Sequence, residues 1–221
     1  MYSFIFIFII FKLYILDLFD SLLYYYIIMI FAKNYFLFFS AVVVSLLIIY
    51  YFYTIYYNMS SKPVYAIAVF TSDVIKGTVA FTEDLSNGRI KIDLNISGLK
   101  PKSKHGFHVH EAGDLTDKCT SMCSHFNPFG NTHGCPGMKN RHVGDLGNIQ
   151  TNGKGEAKYT FYDNFIKLRG SKSNIIGRGL IIHEDEDDCG HGNNAESLKT
   201  GNAGKRIACA VIGYSKENFK C

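Results

Sequence analysis

The chain has 221 residues, with 23 Lys and Arg against 19 Asp and Glu, and is 48% hydrophobic without a single Trp. Its net charge of +4 is too mild, and too free of basic runs with interleaved aromatics, to argue for nucleic-acid binding. It would favour an anionic substrate only if the charge were focused.

The composition changes sharply near residue 58. Residues 1–58 contain no Gly or Pro, carry only Lys12, Asp17, Asp20 and Lys33 as charges, and are dominated by Ile, Phe, Leu and Tyr. From Asn34 to Tyr57 the chain is uncharged and mainly apolar, long enough to cross a bilayer, for which ~20 residues suffice. A secretory signal fits badly, because the apolar region is too long and lacks a clean cationic start. Two readings stand. One is a membrane anchor, with a second hydrophobic segment over 1–30. The other is translated upstream DNA, since Met59-Ser60-Ser61-Lys62 reads as an ordinary N-terminus and AT-rich DNA encodes this mixture of residues. Residues 1–58 hold two Lys and two Asp, so residues 59–221 keep the whole net charge. That remainder has the length of one ordinary folding unit.

The coarse pattern of 59–221 is all-β. Val64–Phe70 reads as a strand, Gly77–Phe81 as another, and Arg89–Ile96 alternates apolar and polar as a half-buried antiparallel strand does. Further short strands fall at Ala157–Tyr162, Gly179–His183 and Ile207–Tyr214. Ser86-Asn87-Gly88 and Thr151-Asn152-Gly153 mark turns. Between them lies His108-Val109-His110. In a strand, residues i and i+2 share a face, so two imidazoles point together while Val109 turns away. Paired imidazoles begin a site for copper, zinc, iron or nickel.

From His125 to Asp145 the chain is rich in Asn, Gly and Pro and lacks apolar periodicity. A loop this long needs something to hold it. His125, His133, His142 and Asp145 supply the three imidazoles and one carboxylate of a closed, four-coordinate zinc set. His183 closes an apolar run and by itself reads as structural. His105 reads as a packed scaffold residue and His191 as exposed.

Taken in order, GFHVHEAGD, HFNPFGNTHGCP, RHVGDLGN, LIIHEDEDD and GNAGKRIACAVIG resemble the copper–zinc superoxide dismutases, over roughly residues 62–214. The resemblance implies an antiparallel Greek-key β-sandwich or barrel of immunoglobulin-like architecture, with long metal-binding and channel loops. It implies conversion of superoxide to oxygen and hydrogen peroxide, by alternate reduction and oxidation of a copper ion bridged to zinc through His125. His108, His110, His125 and His183 are the implied copper ligands; His125, His133, His142 and Asp145 are the implied zinc ligands. Asp187 would hydrogen-bond ligands of both metals and fix their rings. Arg206 would orient the anion beside copper, and His125 would carry protons. Lys199, Thr200 and Glu196 would shape the channel, where Ala195-Glu196 replaces the two adjacent acids of many members.

The same resemblance pairs Cys119 with Cys209 as an intrasubunit disulfide. Cys123 and Cys135 stand where many members have Gly, Ala or Ser. Pairing, metal binding and free thiols are all open there, with free thiols preferred. A homodimer is implied, with Tyr214 near its contact, and a copper chaperone is a further implied partner. A start near Met59 makes the enzyme cytoplasmic, whereas retention of 1–58 makes it membrane-anchored. Glycosylation sequons at Asn58 and Asn95 matter only if the domain faces a secretory lumen. Two rival readings are a copper carrier without turnover and a tethered interaction domain on the same fold. Against the first, this chain keeps every ligand position and the channel arginine.

Overall fold

The computed structural model describes residues 35–60, 62–170 and 172–220, together with Ser21. The chain divides into two compact units, Met1–Ser60 and Ser61–Cys221. In the first unit Tyr35–Ser60 forms one helix, α1, with no Gly, Pro or charge to interrupt it. Its described side chains run from Val42 to Ile55. Among the described residues no helix is long and apolar enough to cross a membrane. The segment over 1–30 lies outside the described residues apart from Ser21, and Asn34 and the side chains of residues 35–41, 56 and 57 lie outside them too.

The second unit is built from β1 (Tyr65–Thr71), β2 (Lys76–Glu83), β3 (Ile90–Ser97), β4 (Lys104–His110), β5 (Asp145–Gln150), β6 (Thr160–Asp163), β7 (Gly179–His183), β8 (Arg206–Val211) and β9 (Gly213–Tyr214). They form two antiparallel sheets, ordered β6-β3-β2-β1-β9 and β5-β4-β7-β8. Alternation sets the faces. On β3, Ile90, Ile92, Leu94 and Ile96 are buried while Lys91, Asp93 and Asn95 point outward. Val79, Phe81 and Ile92 of one sheet and Phe107, Val109, Leu180 and Ile182 of the other lie in a single apolar core, the packing of a β-sandwich.

Two predicted strands are shaped differently. Ala157 makes an isolated bridge with Ile96 before β6 begins at Thr160. The run 207–214 divides between sheets, because Ile212 leaves the ladder. Its N–H donates to the Arg178 carbonyl (2.9 Å) and its own carbonyl accepts from Gly177 N–H (2.7 Å). The chain then pairs with β1 as β9.

Candidate metal centre

Every strand of the four-stranded sheet contributes to one site: His108 and His110 from β4, Asp145 from β5, His183 from β7 and Arg206 from β8. From His105 to His110, β4 is buried on both faces, because the loop after it folds back over its outer side. His125 bridges to His110, Phe126 N–H donates to the Val109 carbonyl (2.9 Å), and Val109 N–H donates to Gly144 (2.8 Å). A Cβ on Gly144 would lie 2.1 Å from the Val109 carbonyl oxygen, so only glycine permits this approach. Both ends of the His-rich loop are thereby tied to the middle of β4.

His108, His110, His125 and His183 are all buried, and one ligand atom from each lies within 4.8 Å of the other three. Their remaining ring nitrogens are engaged. His108 Nε2 meets Asp187 Oδ2 (2.7 Å), His110 Nδ1 donates to the Cys123 carbonyl (2.9 Å), and His183 Nδ1 donates to the Gly204 carbonyl (3.1 Å). Left without any hydrogen-bond partner are His108 Nδ1, His110 Nε2, His125 Nε2 and His183 Nε2. Buried polar atoms are almost always satisfied, and four convergent lone pairs of this kind fit a transition metal that favours imidazole.

A second cluster shares His125. Asp145 Oδ1 lies 2.9 Å from His125 Nδ1, 3.0 Å from His133 Nδ1 and 3.1 Å from His142 Nδ1. The His133 contact lacks the alignment of a hydrogen bond. The other oxygen of Asp145 accepts from Gly134 N–H (3.0 Å) and His142 N–H (2.8 Å). Three imidazoles and one carboxylate fit zinc. Asp187 spans the two clusters, with Oδ2 on His108 Nε2 and Oδ1 on His133 Nε2 (2.8 Å). Asn148 holds its backbone, accepting from Asp187 N–H and donating to its carbonyl (both 2.8 Å).

In the first cluster electrostatics favour the ligating forms. Burial, then the neighbouring His125, hold His108 well below the usual imidazole range. The same two causes lower His110, and burial lowers His125. Burial brings His183 down to about 4. Neutral imidazole is the form that binds metal. For His133 burial is outweighed by the adjacent Asp145 and Asp187 carboxylates, which raise it to about 9. Asp145 is buried too, yet its three histidine partners hold it far below the carboxylate range.

A pH dependence of the metal-free protein follows. Below pH 6.5 the unfolded chain protonates residue 183 while the folded chain does not until about pH 4. This group's stability is therefore present above 6.5 and lost as pH falls toward 4, by about 3 kcal/mol at most. His133 acts in the opposite sense, contributing below 6.5 and losing that contribution as pH rises through about 9. Urea unfolding of the metal-free protein should show greatest stability near pH 6.5. A stability still climbing at pH 9 would contradict the His133 assignment.

A cavity of about 790 Å³ opens onto His110, His125 and His183 and is also lined by Lys199, Thr200 and Arg206. Glu196 lines it too and accepts from Thr200 Oγ1 (3.0 Å), at the short helix α2 (Ser197–Thr200). Arg206 is half-buried and fixed by donation to the carbonyls of Cys119 (2.7 Å) and Cys123 (2.5 Å). Cys119 and Cys209 form a disulfide that ties the loop holding those carbonyls to β8. His105 donates through Nδ1 to the His183 carbonyl (2.8 Å), and His191 is exposed.

The preferred free thiol at Cys135 is corrected, because Cys135 pairs with Cys189 across a Cα–Cα distance of 4.9 Å. Both residues sit in irregular loops, so no strand or helix period could have paired them. Cys123 is free and exposed. Sequence reasoning also missed Arg141. Its buried guanidinium pairs with Asp163, donates to the Asp145 backbone carbonyl and lies 4.4 Å from the Phe165 ring centroid. An Arg beside a ligand in a polar loop carries no local signal of burial.

A family model described as copper/zinc superoxide dismutase matches residues 75–212. A Cu-Zn superoxide dismutase of Paramecium bursaria Chlorella virus 1 is 68% identical over 159 residues, covering 72% of this chain and 83% of that protein. The Neurospora crassa Cu-Zn superoxide dismutase is 51% identical over 154 residues, covering 69% of this chain and 99% of that protein. A crystal structure of the clock protein EA4 superposes with a TM-score of 0.67 at 44% identity, covering 70% of this chain and 97% of that one.

Proposed function

This chain belongs to the copper/zinc superoxide dismutase family, and we propose that His108, His110, His125 and His183 hold its copper while His125, His133, His142 and Asp145 hold its zinc. The observation that carries the assignment is the set of four buried, unpartnered ring nitrogens on the first cluster. The protein is an oxidoreductase that converts superoxide to oxygen and hydrogen peroxide. Bound copper supplies the one-electron exchange with superoxide, whereas zinc, which has no redox chemistry, organises the loop.

The chain's own residues do the rest. Arg206 presents a cation to the cavity from a position fixed by the backbone carbonyls of Cys119, Thr120 and Cys123, and so draws in and orients a small anion. Burial lowers the Arg206 guanidinium from its usual range, yet an arginine remains charged at neutral pH. Exposed Lys199 adds positive potential at the mouth, and Glu196, held to Thr200, limits it. Focused potential of this kind raises association rates. His125 Nδ1 faces Asp145 and its Nε2 has no hydrogen-bond partner, so Nε2 is where this residue takes up and returns a proton. Asp187 keeps the rings of His108 and His133 oriented for both clusters.

Stopped-flow decay of superoxide with the copper- and zinc-loaded protein tests the reading. Rapid turnover is expected, falling by about tenfold or more in Arg206→Ala with both metals retained. An inactive, fully metallated protein would overturn it. A homodimer is part of the proposal. The exposed rings of Tyr214 and Phe219, 6.4 Å apart beside the edge strand β9, offer an apolar contact for it. Copper delivery by a chaperone belongs to the same reading. A start near Met59, which would make the enzyme cytoplasmic, belongs to the same proposal. Intact mass of the protein from its natural source checks this. A mass that includes residues 1–58 would instead favour the membrane-anchored form.

A further inference from the structure

We propose that the Cys135–Cys189 disulfide is a positioning cross-link of the zinc site, holding His133 and Asp187 together and slowing release of the metal. The inference rests on the assignment of His133 to zinc. Cys135 follows His133 by two residues, and Cys189 follows Asp187 by two. His133 Nε2 and Asp187 Oδ1 meet at 2.8 Å, while the sulfurs of Cys135 and Cys189 are bonded. These links close a small ring in which one side is covalent and the other is the hydrogen bond between a zinc-site imidazole and the carboxylate that spans both clusters.

The two corners of the ring are themselves fixed. Cys189 N–H donates to the same Asp187 Oδ1 (2.7 Å), and Gly134 N–H donates to Asp145 Oδ2 (3.0 Å). His133 N–H donates to the Leu198 carbonyl at 2.9 Å. The segments joined are 54 residues apart in the chain and both are irregular. Without the cross-link nothing covalent and nearby opposes the swing of His133 away from Asp187. With it, the imidazole stays oriented when a metal bond breaks, and rebinding outpaces escape. Partners that fix the orientation of ligating histidines in this way change metal affinity by about 10–100-fold.

The test compares the metal-loaded full chain with Cys135→Ser/Cys189→Ser, following zinc transfer to a chromophoric chelator and copper release in parallel, well below the melting temperature. Zinc should leave the variant at least about tenfold faster, with copper release changed far less. Equal zinc release from both proteins overturns the proposal. So does an equal acceleration of both metals, which is what a merely stabilising cross-link would give. Alkylation of both thiols in the unaltered, unreduced protein, read by mass, also overturns it. If the serine variant does not fold, Cys135→Ala/Cys189→Gly replaces it, since glycine accepts the φ of +62° at position 189. An unaltered protein that binds no zinc overturns the zinc assignment itself, so the two failures are told apart.

Discussion

Replacing His183 with Ala removes dismutation by more than about two orders of magnitude, beyond the 10–100-fold that loss of a supporting partner costs, while leaving zinc in place. His183 ends β7, where its backbone is held by pairing with Arg206 of β8 and by donation from His105 to its carbonyl. Those contacts do not involve the imidazole, so the strand persists when the ring is cut back. What disappears is one of the four unpartnered nitrogens. Three remain, and the second cluster keeps all four of its members because His183 is not among them. Metal analysis of the variant should therefore show zinc near the level of the unaltered protein and copper depleted. Rapid turnover by the variant at full copper content would remove His183 from the set.

Asp145→Ala is expected to do the converse and to weaken the fold as well. Asp145 begins β5 and is fully buried. Its carboxylate meets three imidazoles through one oxygen and two backbone N–H groups through the other. Truncation leaves Gly134 N–H and His142 N–H without an acceptor, and a buried donor left unmade costs about 1–3 kcal/mol. Two such donors give a destabilisation of about 3 kcal/mol or more in the metal-free protein, or roughly 6–12 °C in melting temperature for a unit of this size. Loss of zinc binding adds to this in the loaded protein. Calorimetry of the metal-free forms separates the two effects, and a variant melting within about 2 °C of its parent would show that these hydrogen bonds matter little.

Much of the architecture is local enough to be legible in the chain. The alternation of Ile90, Ile92, Leu94 and Ile96 names a strand and its buried face without reference to anything distant. His108 and His110 share a face for the same reason, and the loop from His125 to Asp145 declares its candidate ligands by type. The residues that escaped notice depend on long-range closure. Arg141 is buried only because Asp163, on β6, comes to meet it. Asn148 matters through an exchange of hydrogen bonds with Asp187, 39 positions later. The pairing of Cys135 with Cys189 needs two loops to be brought to one place, and neither has a periodicity that could announce it. The departure of Ile212 from the ladder likewise depends on carbonyl and amide groups at Gly177 and Arg178.

The two sheets carry unequal obligations. Each strand of β5-β4-β7-β8 delivers a side chain to the metal centre, whereas β6-β3-β2-β1-β9 delivers none. Selection on chemistry therefore acts on one wall of the sandwich, and the opposite wall answers to shape, solubility and the proposed dimer contact beside β9. Drift should accumulate on the outward positions of β2 and β3, such as Lys91 and Asn95, faster than anywhere on β4. A label, an epitope or an inserted peptide is best placed at the Asp84–Gly88 turn, which joins two strands of the wall that has no ligand to misplace.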